Sequence, residues 1–162
     1  MHPKVRYRGK LIFFSRHGES EYNVENKVGG DSPLSDRGAL YAKALGRYFN
    51  NLGESCKKYF ILISHFSNSK SDIYLIQLHY NFEIDIKCLK VWTSQLLRAT
   101  STAQTVSATE RKQFSSLNEI NAGNFDGLSY DDMEELYPEE FEKRLQDKLG
   151  YRYPGGNDYL RL

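Results

Sequence analysis

Arg16-His17-Gly18-Glu19-Ser20 is the segment of this chain best suited to chemistry. It follows directly on Lys10-Leu11-Ile12-Phe13-Phe14-Ser15, a short apolar run rich in strand formers that reads as a buried β-strand. Ligands of open α/β sheets bind outside the carboxyl ends of the strands, so this strand delivers Arg16 and His17 to a site. A neutral imidazole can attack phosphorus, while a neighbouring guanidinium binds phosphoryl oxygens and stabilises their charge. Gly18 lets the backbone turn or approach a ligand closely. A lone Arg-His pair would read as a strand-capping histidine beside a surface arginine. Five such residues in this setting favour phosphoryl chemistry.

The elements that must hold these residues alternate along the chain. Gly29-Gly30-Asp31-Ser32-Pro33 is turn chemistry, after which Ser35 or Asp36 can cap a helix. Leu40, Ala44, Leu45, Tyr48, Phe49 and Leu52 recur at helical spacing, which predicts a helix to about Asn50 before Gly53. Leu89-Lys90-Val91-Trp92-Thr93 reads as a second buried strand. Ser94 is the predicted cap of a helix through Ala108, with Leu97, Thr100, Ala103 and Val106 on one side. Ser129-Tyr130-Asp131-Asp132 is a capping-box pattern opening an acidic helix toward Leu136. Pro138 suits the first turn of a further helix, from Glu139 to about Lys148. Strands alternating with amphipathic helices predict an α/β fold with a mostly parallel sheet. Residues 53–87 break the rhythm. They hold two apolar runs, 59–63 and 73–78, which could be a strand pair or a loop insertion. The last residues, 157–162, read as a helix that has just begun.

Composition narrows the function classes. A chain of 162 residues with 40% hydrophobic and 27% charged residues can bury the core of one domain. Twenty-two Lys+Arg against 21 Asp+Glu leave a net charge of +1, which excludes a strongly basic nucleic-acid binder and an acidic tail protein. Two cysteines, Cys56 and Cys88, supply neither a disulfide framework nor a Cys-rich zinc site. The first ten residues lack the apolar stretch of a secretory signal, and no apolar run nears the ~20 residues that span a bilayer. A cytoplasmic single domain with no nucleic-acid or membrane partner is expected. The 12 tyrosines suit a domain that binds something polar through hydroxyls, although many cores are also Tyr-rich.

The Arg16-His17-Gly18 tripeptide resembles the hallmark of the histidine phosphatase (phosphoglycerate mutase-like) superfamily. Residues 16–23, Gly29-Gly30-Asp31-Ser32, Leu34-Ser35 and Arg37-Gly38 are similar, within it, to the bisphosphatase domain of 6-phosphofructo-2-kinase/fructose-2,6-bisphosphatase. So are residues 91–95, Leu117-Asn118-Glu119-Ile120, Ala122-Gly123, 137–140, Gln146-Asp147-Lys148 and Tyr151-Arg152-Tyr153-Pro154. The resemblance implies a phosphohydrolase that removes the 2-phosphate of fructose 2,6-bisphosphate through a phosphohistidine. His17 is then the nucleophile, held between Arg16 and Arg98. Arg98 follows the second strand by one helical turn, beside a helix N-terminus that itself favours anions. Glu119 matches the proton donor, a role that calls for a carboxyl with a raised pKa. Asn23 and the Gly29 backbone match positions that touch phosphate or sugar. Tyr130, Arg144, Lys148, Arg152 and Tyr159 match the remaining phosphosugar contacts. The plain alternative for Arg144 and Lys148 is pairing with carboxylates on the surface of their own helix, as Arg144 could with Glu140 at i,i+4, worth a few tenths of a kcal/mol. No metal and no other cofactor is needed, since His17 and the arginines supply the charge stabilisation.

The departures matter as well. The family carries a second active-site histidine after a later strand, and that strand lies between the two strands read here. No equivalent follows in order. The expectation is therefore an N-terminal portion of the domain over 1–162, lacking its C-terminal part, with an atypical insertion at about 53–87 and a gap inside the sheet. Ile61-Leu62-Ile63-Ser64-His65 looks like a strand followed by a histidine, but it precedes Arg98, which marks it as a look-alike within the insertion. It is also the one segment that could fill the gap. No G-x-x-x-x-G-K-[ST] loop is present, so a kinase half would have to lie in a longer parent chain. The other readings are a phosphoglycerate mutase or broad-specificity histidine phosphatase, an inactive fragment, and a phosphosugar-binding module.

Overall fold

The computed structural model of the chain describes residues 4–7, 10–51, 59–64, 89–148 and 150–156. Five strands form one sheet in the order β1 (Lys4–Tyr7), β2 (Lys10–Arg16), β3 (Tyr59–Ser64), β4 (Leu89–Thr93), β5 (Glu110–Gln113). β1 is antiparallel to β2, and the other neighbouring pairs are parallel. The helices are α1 (Glu21–Val24), α2 (Asp36–Asn50), α3 (Leu97–Gln104), α4 (Tyr130–Leu136) and α5 (Pro138–Gln146). The expected α/β fold with a mostly parallel sheet is the one observed.

β3 lies where a gap was expected. Its backbone pairs with β2 from Leu11↔Tyr59 to Arg16↔Ser64, and with β4 from Tyr59↔Leu89 to Ile63↔Thr93. The physical reason is twofold. Tyr-Phe-Ile-Leu-Ile is a near-continuous run of strand formers, the pattern of a parallel strand with neighbours on both sides. Without it, β2 and β4 would face each other with unpaired backbone groups, at about 1–3 kcal/mol for each one buried. The early apolar run therefore completes the sheet, and the expectation of a missing interior strand is overturned. His65, the apolar run 73–78, both cysteines and the helix expected over 157–162 lie outside the described residues.

Helix boundaries follow local chemistry, with one exception. Ser35 caps α2, its hydroxyl accepting from the Gly38 N–H at 3.1 Å. Ser129 and Asp132 form the expected capping box on α4, each backbone N–H donating to the other's side chain at 3.0 Å. The Ser129 hydroxyl and amide hold the Asp132 carboxyl below its usual range. Pro138 occupies the first turn of α5. α3, however, is shorter than predicted and is not capped by Ser94. Leu96 occupies the cap position without a side-chain bond.

The buried helix faces also differ from the apolar spacing. On α2 the buried residues are Gly38, Ala42, Gly46 and Phe49, while Leu40 is 64% exposed. On α3 they are Arg98, Ala99, Thr102 and Ala103, with Leu97 turned outward. The smallest residues face inward because α2 and α3 touch backbone to backbone. The Thr105 hydroxyl donates to the Ala42 carbonyl at 2.6 Å, and a Cβ on Gly46 would collide with the Thr105 carbonyl. Phe49, Leu89, Val91, Ala99, Ala103 and Val106 form the core beneath them, with Phe13 packed edge-on against Phe49 at 5.2 Å. A second core of Ile120, Ala122, Phe125, Met133, Tyr151 and Tyr153 binds the segment after β5 to α4 and to the residues after α5.

Gly46→Ala tests this packing. Alanine raises helix propensity by about 1 kcal/mol, but overpacking against a carbonyl that cannot yield costs about 3 kcal/mol. A net loss of about 2 kcal/mol is expected, seen as a Tm lowered by about 4–8 °C in a single cooperative transition. An unchanged or raised Tm would mean that the helices are not in backbone contact.

Candidate active site

His17 is the first residue beyond β2 and is buried. Its Nδ1 lies 2.6 Å from the Gly18 carbonyl, which can only accept, so Nδ1 carries the proton. Its Nε2 lies 3.2 Å from the Nε of Arg98, which can only donate, so Nε2 presents a lone pair. The two contacts together select one neutral tautomer. Gly18 is required by a close approach: a Cβ there would stand 2.5 Å from the Gly38 carbonyl oxygen, and one on Gly38 would run into the Glu19 carbonyl. The start of α2 thus rests directly on the His17 loop. Ser35 locks this contact, with its N–H on the Glu19 carbonyl at 2.9 Å and its hydroxyl on the Glu19 carboxylate at 2.8 Å.

Arg98, in the first turn of α3, is 2% exposed. Beyond the bond to His17, Nη1 donates to the Gly30 carbonyl at 2.8 Å and Nη2 to Glu119 Oε2 at 2.5 Å. Gly29 and Gly30 both have φ of +66°, a region that costs other residues dearly. The Gly30 N–H donates to Asp126 Oδ1 at 2.9 Å, and a side chain on Gly29 would overlap that carboxylate. Two distant side chains take over the missing local cap of α3. Asp31 Oδ1 accepts from the Leu97 N–H at 2.6 Å, and Asn118 Oδ1 from the Gln95 N–H at 2.8 Å. Each is the sequence neighbour of an Arg98 partner, Gly30 in one case and Glu119 in the other.

A second cationic centre surrounds Arg144, which is also buried. Its Nε donates to the Tyr153 hydroxyl at 2.6 Å and its Nη2 to the Tyr130 hydroxyl at 3.2 Å. The guanidinium also lies 4.9 Å from the Tyr130 ring centroid. Glu140, the i,i+4 alternative, is bonded to Lys143 at 2.6 Å and to the Tyr151 hydroxyl at 2.8 Å. Burial, then the Glu140 bond, raises the Tyr151 hydroxyl pKa. The two centres are stitched together by backbone. Val28 donates to Leu128 and Gly127 to Val28, both at 2.8 Å, so the glycine turn against Arg98 is fastened to the strand-like bridge that leads into Tyr130.

A sequence model of the histidine phosphatase superfamily (branch 1) matches residues 12–60 and 79–162. The chain belongs to the histidine phosphatase superfamily. It is similar to 6-phosphofructo-2-kinase/fructose-2,6-bisphosphatase 3 of Rattus norvegicus, 36% identical over 158 residues, covering 98% of this chain and 22% of that protein. It is also similar to fructose-2,6-bisphosphatase of Saccharomyces cerevisiae, 38% identical over 155 residues, covering 96% of this chain and 27% of that protein. The chain therefore spans about a quarter of the length of these relatives. Among solved structures it shares its fold with YhfR of Bacillus stearothermophilus, at TM-score 0.63 and 22% identity over 93% of this chain and 60% of that one. A mycobacterial glucosyl-3-phosphoglycerate phosphatase complexed with VO3 is similar at TM-score 0.55 and 18% identity, over 90% of this chain and 55% of that one.

Within this histidine phosphatase chain the predicted site residues separate into groups. His17, Arg98, Glu119 and the glycine turn at Gly29 form one bonded centre; Tyr130 and Arg144 form the other. Two arginines were expected beside His17: Arg16 ends β2 with its side chain exposed, and Arg98 donates to the His17 ring. Asn23 completes the cap of α1, accepting from the Ser20 N–H at 3.0 Å, which leaves its Nδ2 donors for an outside acceptor. Lys148 and Arg152 are exposed, and Tyr159 lies outside the described residues. Sequence reasoning missed Asp31, Thr102, Asn118 and Asp126. The first belonged to a recognised turn; the others carry no local signature, because each acts on a residue far away in the chain. Among the described residues no group of three or more His, Cys, Asp or Glu could hold a metal ion, and no helix is long and apolar enough to cross a membrane.

The contrast between Arg144 and Lys148 is measurable without any substrate. Arg144→Ala removes a packed cation and the partner of two tyrosine hydroxyls, and should cost about 2–3 kcal/mol. Lys148→Ala on the exposed surface should stay within about 0.5 kcal/mol. Urea unfolding of both variants checks this, and equal losses would contradict the buried placement of Arg144.

Proposed function

We propose that the chain carries the chemistry of a fructose-2,6-bisphosphate 2-phosphatase. The observation that carries the reading is the tautomer of His17, with its Nε2 lone pair aimed at Arg98 Nε, 3.2 Å away. In this reading the incoming phosphoryl group draws the Arg98 Nε–H away from Nε2, and the freed lone pair attacks the 2-phosphate phosphorus while the bond from phosphorus to the sugar oxygen breaks. The proton stays on Nδ1 throughout, hydrogen-bonded to the Gly18 carbonyl, so the ring accepts the phosphoryl group without having to lose a proton from Nε2. Arg98 and Arg16 neutralise the equatorial oxygens as charge develops there.

Glu119 gives its proton to the departing sugar oxygen, then takes one from the water that attacks phosphohistidine. Inorganic phosphate and fructose 6-phosphate leave, and His17 is regenerated. The Arg98–Glu119 ion pair couples the two groups. An incoming phosphoryl group competes for Nη2, and the carboxyl freed from that pair is then able to hold the proton it must deliver. Arg144, Lys148, Arg152, Tyr130, Tyr159 and Asn23 are read as contacts to the sugar and its second phosphate, with Arg144 preset by its two tyrosines. The stretch 53–87 is read as an insertion that supplies β3; the family match pauses inside it, between residues 60 and 79. The two-activity name of the rat relative supports a kinase half in a longer parent chain.

Two experiments test the assignment. Incubation with substrate labelled in the 2-phosphate, followed by an alkaline quench that preserves phosphohistidine, should label the wild-type chain and leave His17→Ala unlabelled. Label persisting in that variant sinks the nucleophile assignment. Glu119→Gln should lower kcat by about 10²-fold or more with KM within severalfold, because an acid acts mainly in the transition state. A kcat within severalfold of wild type would remove Glu119 from the mechanism.

A further inference from the structure

We infer that Thr102 is the positioning residue that sets the tautomer and orientation of His17. Thr102 is fully buried in α3, one turn after Arg98. Its hydroxyl donates to the Arg98 carbonyl at 2.7 Å, as helix threonines commonly do. The uncommon feature is the other side of the same oxygen, which accepts the Gly18 N–H at 2.9 Å from 84 positions away in sequence.

The consequence is a closed ring of hydrogen bonds. Gly18 N–H binds Thr102, Thr102 binds the Arg98 carbonyl, Arg98 Nε binds His17 Nε2, and His17 Nδ1–H binds the Gly18 carbonyl. Both polar groups of Gly18 are thereby used, one by Thr102 and one by the imidazole. Only a group that donates and accepts at once can close the ring at position 102, which excludes apolar side chains of the same shape. Loss of the hydroxyl leaves a buried N–H without its acceptor, and the cheapest relief is a shift of the His17–Gly18 backbone. That shift moves the carbonyl that holds the proton on Nδ1, and with it the Nε2 lone pair.

The catalytic consequence rests on the proposed phosphatase reading, but the tautomer does not, so the two can fail separately. The experiment uses the 162-residue chain as wild type, Thr102→Val and Thr102→Ser, reading the His17 ring nitrogens by 15N NMR and turnover of fructose 2,6-bisphosphate in parallel. In wild type, and in Thr102→Ser, Nδ1 should read as protonated and Nε2 as unprotonated at a pH where the ring is neutral, with the Gly18 amide protected from exchange. In Thr102→Val the ring should become a mixture of tautomers. Turnover should fall by about 10–100-fold in kcat with KM changed less than about threefold, since misplacement of a reacting group acts on the chemical step, and Thr102→Ser should stay within about threefold of wild type. A wild-type ring spectrum and kcat in Thr102→Val would overturn the inference. Should that variant fail to fold, an exchange-labile Gly18 amide or an unprotonated Nδ1 in the wild type would overturn it equally, as would mixed tautomers in Thr102→Ser. Absence of turnover in a wild-type chain with the expected ring spectrum would count against the phosphatase reading and leave the positioning role intact.

Discussion

A guanidinium taken almost wholly out of water must find protein acceptors for its charge-bearing N–H groups, and Arg98 imposes that demand on the whole molecule. Its three nitrogens reach three separate segments: the end of β2 at His17, the glycine turn at Gly30, and Glu119 in the stretch after β5. Glu119 is the ionic partner among them, and removing one partner of a buried pair typically costs about 3–5 kcal/mol because the charge left behind is uncompensated. The site is in this sense built outward from the arginine rather than inward from the histidine. Asp31 and Asn118 reinforce it by gripping the N-terminal end of α3 from either side.

Close approach is the second requirement. Around the site several backbones come so near one another that no side chain fits between them. Glycine meets this twice at one contact, where Gly18 and Gly38 bring the His17 loop onto the start of α2. Small residues meet it again between α2 and the end of α3, where a Cβ on Gly46 would collide with the Thr105 carbonyl and the Thr105 hydroxyl donates to the Ala42 carbonyl. Leu40 and Leu97 are turned outward as a result. Packing that seems to waste hydrophobic residues thereby positions Arg98 and Thr102 under His17.

The overall charge of +1 conceals a strongly local distribution. Arg98 and Arg144 are both buried, and the backbone bonds between Val28 and residues Gly127 and Leu128, just before α4, join their surroundings into one frame. Some carboxylates elsewhere are paired with nearby cations. Glu110, for instance, is paired with Lys90 and Lys112, which hold its carboxyl down at about 2. Two buried guanidinium groups thus lie in one frame, a local concentration that net charge alone does not reveal.

Local chemistry was legible in the residues themselves. The strand before Arg16, the span of α2, the capping box at Ser129 and the proline start of α5 rest on interactions between neighbours in sequence, so composition and spacing suffice to read them. The pairing of His17 with Arg98 was expected from motif resemblance, and in the structure Arg98 Nε donates to the His17 ring. The place of β3 was legible only as the alternative to a look-alike, because a parallel strand is specified by the unpaired edges of two others rather than by its own order in the chain. The inward faces of α2 and α3 were not legible, since burial followed the shortest backbone separation instead of the largest side chains. Asp31, Thr102, Asn118 and Asp126 look like ordinary polar residues in the sequence. They became parts of the site only when folding placed each against a backbone N–H far away in the chain, and that depends on tertiary geometry, which no local pattern encodes.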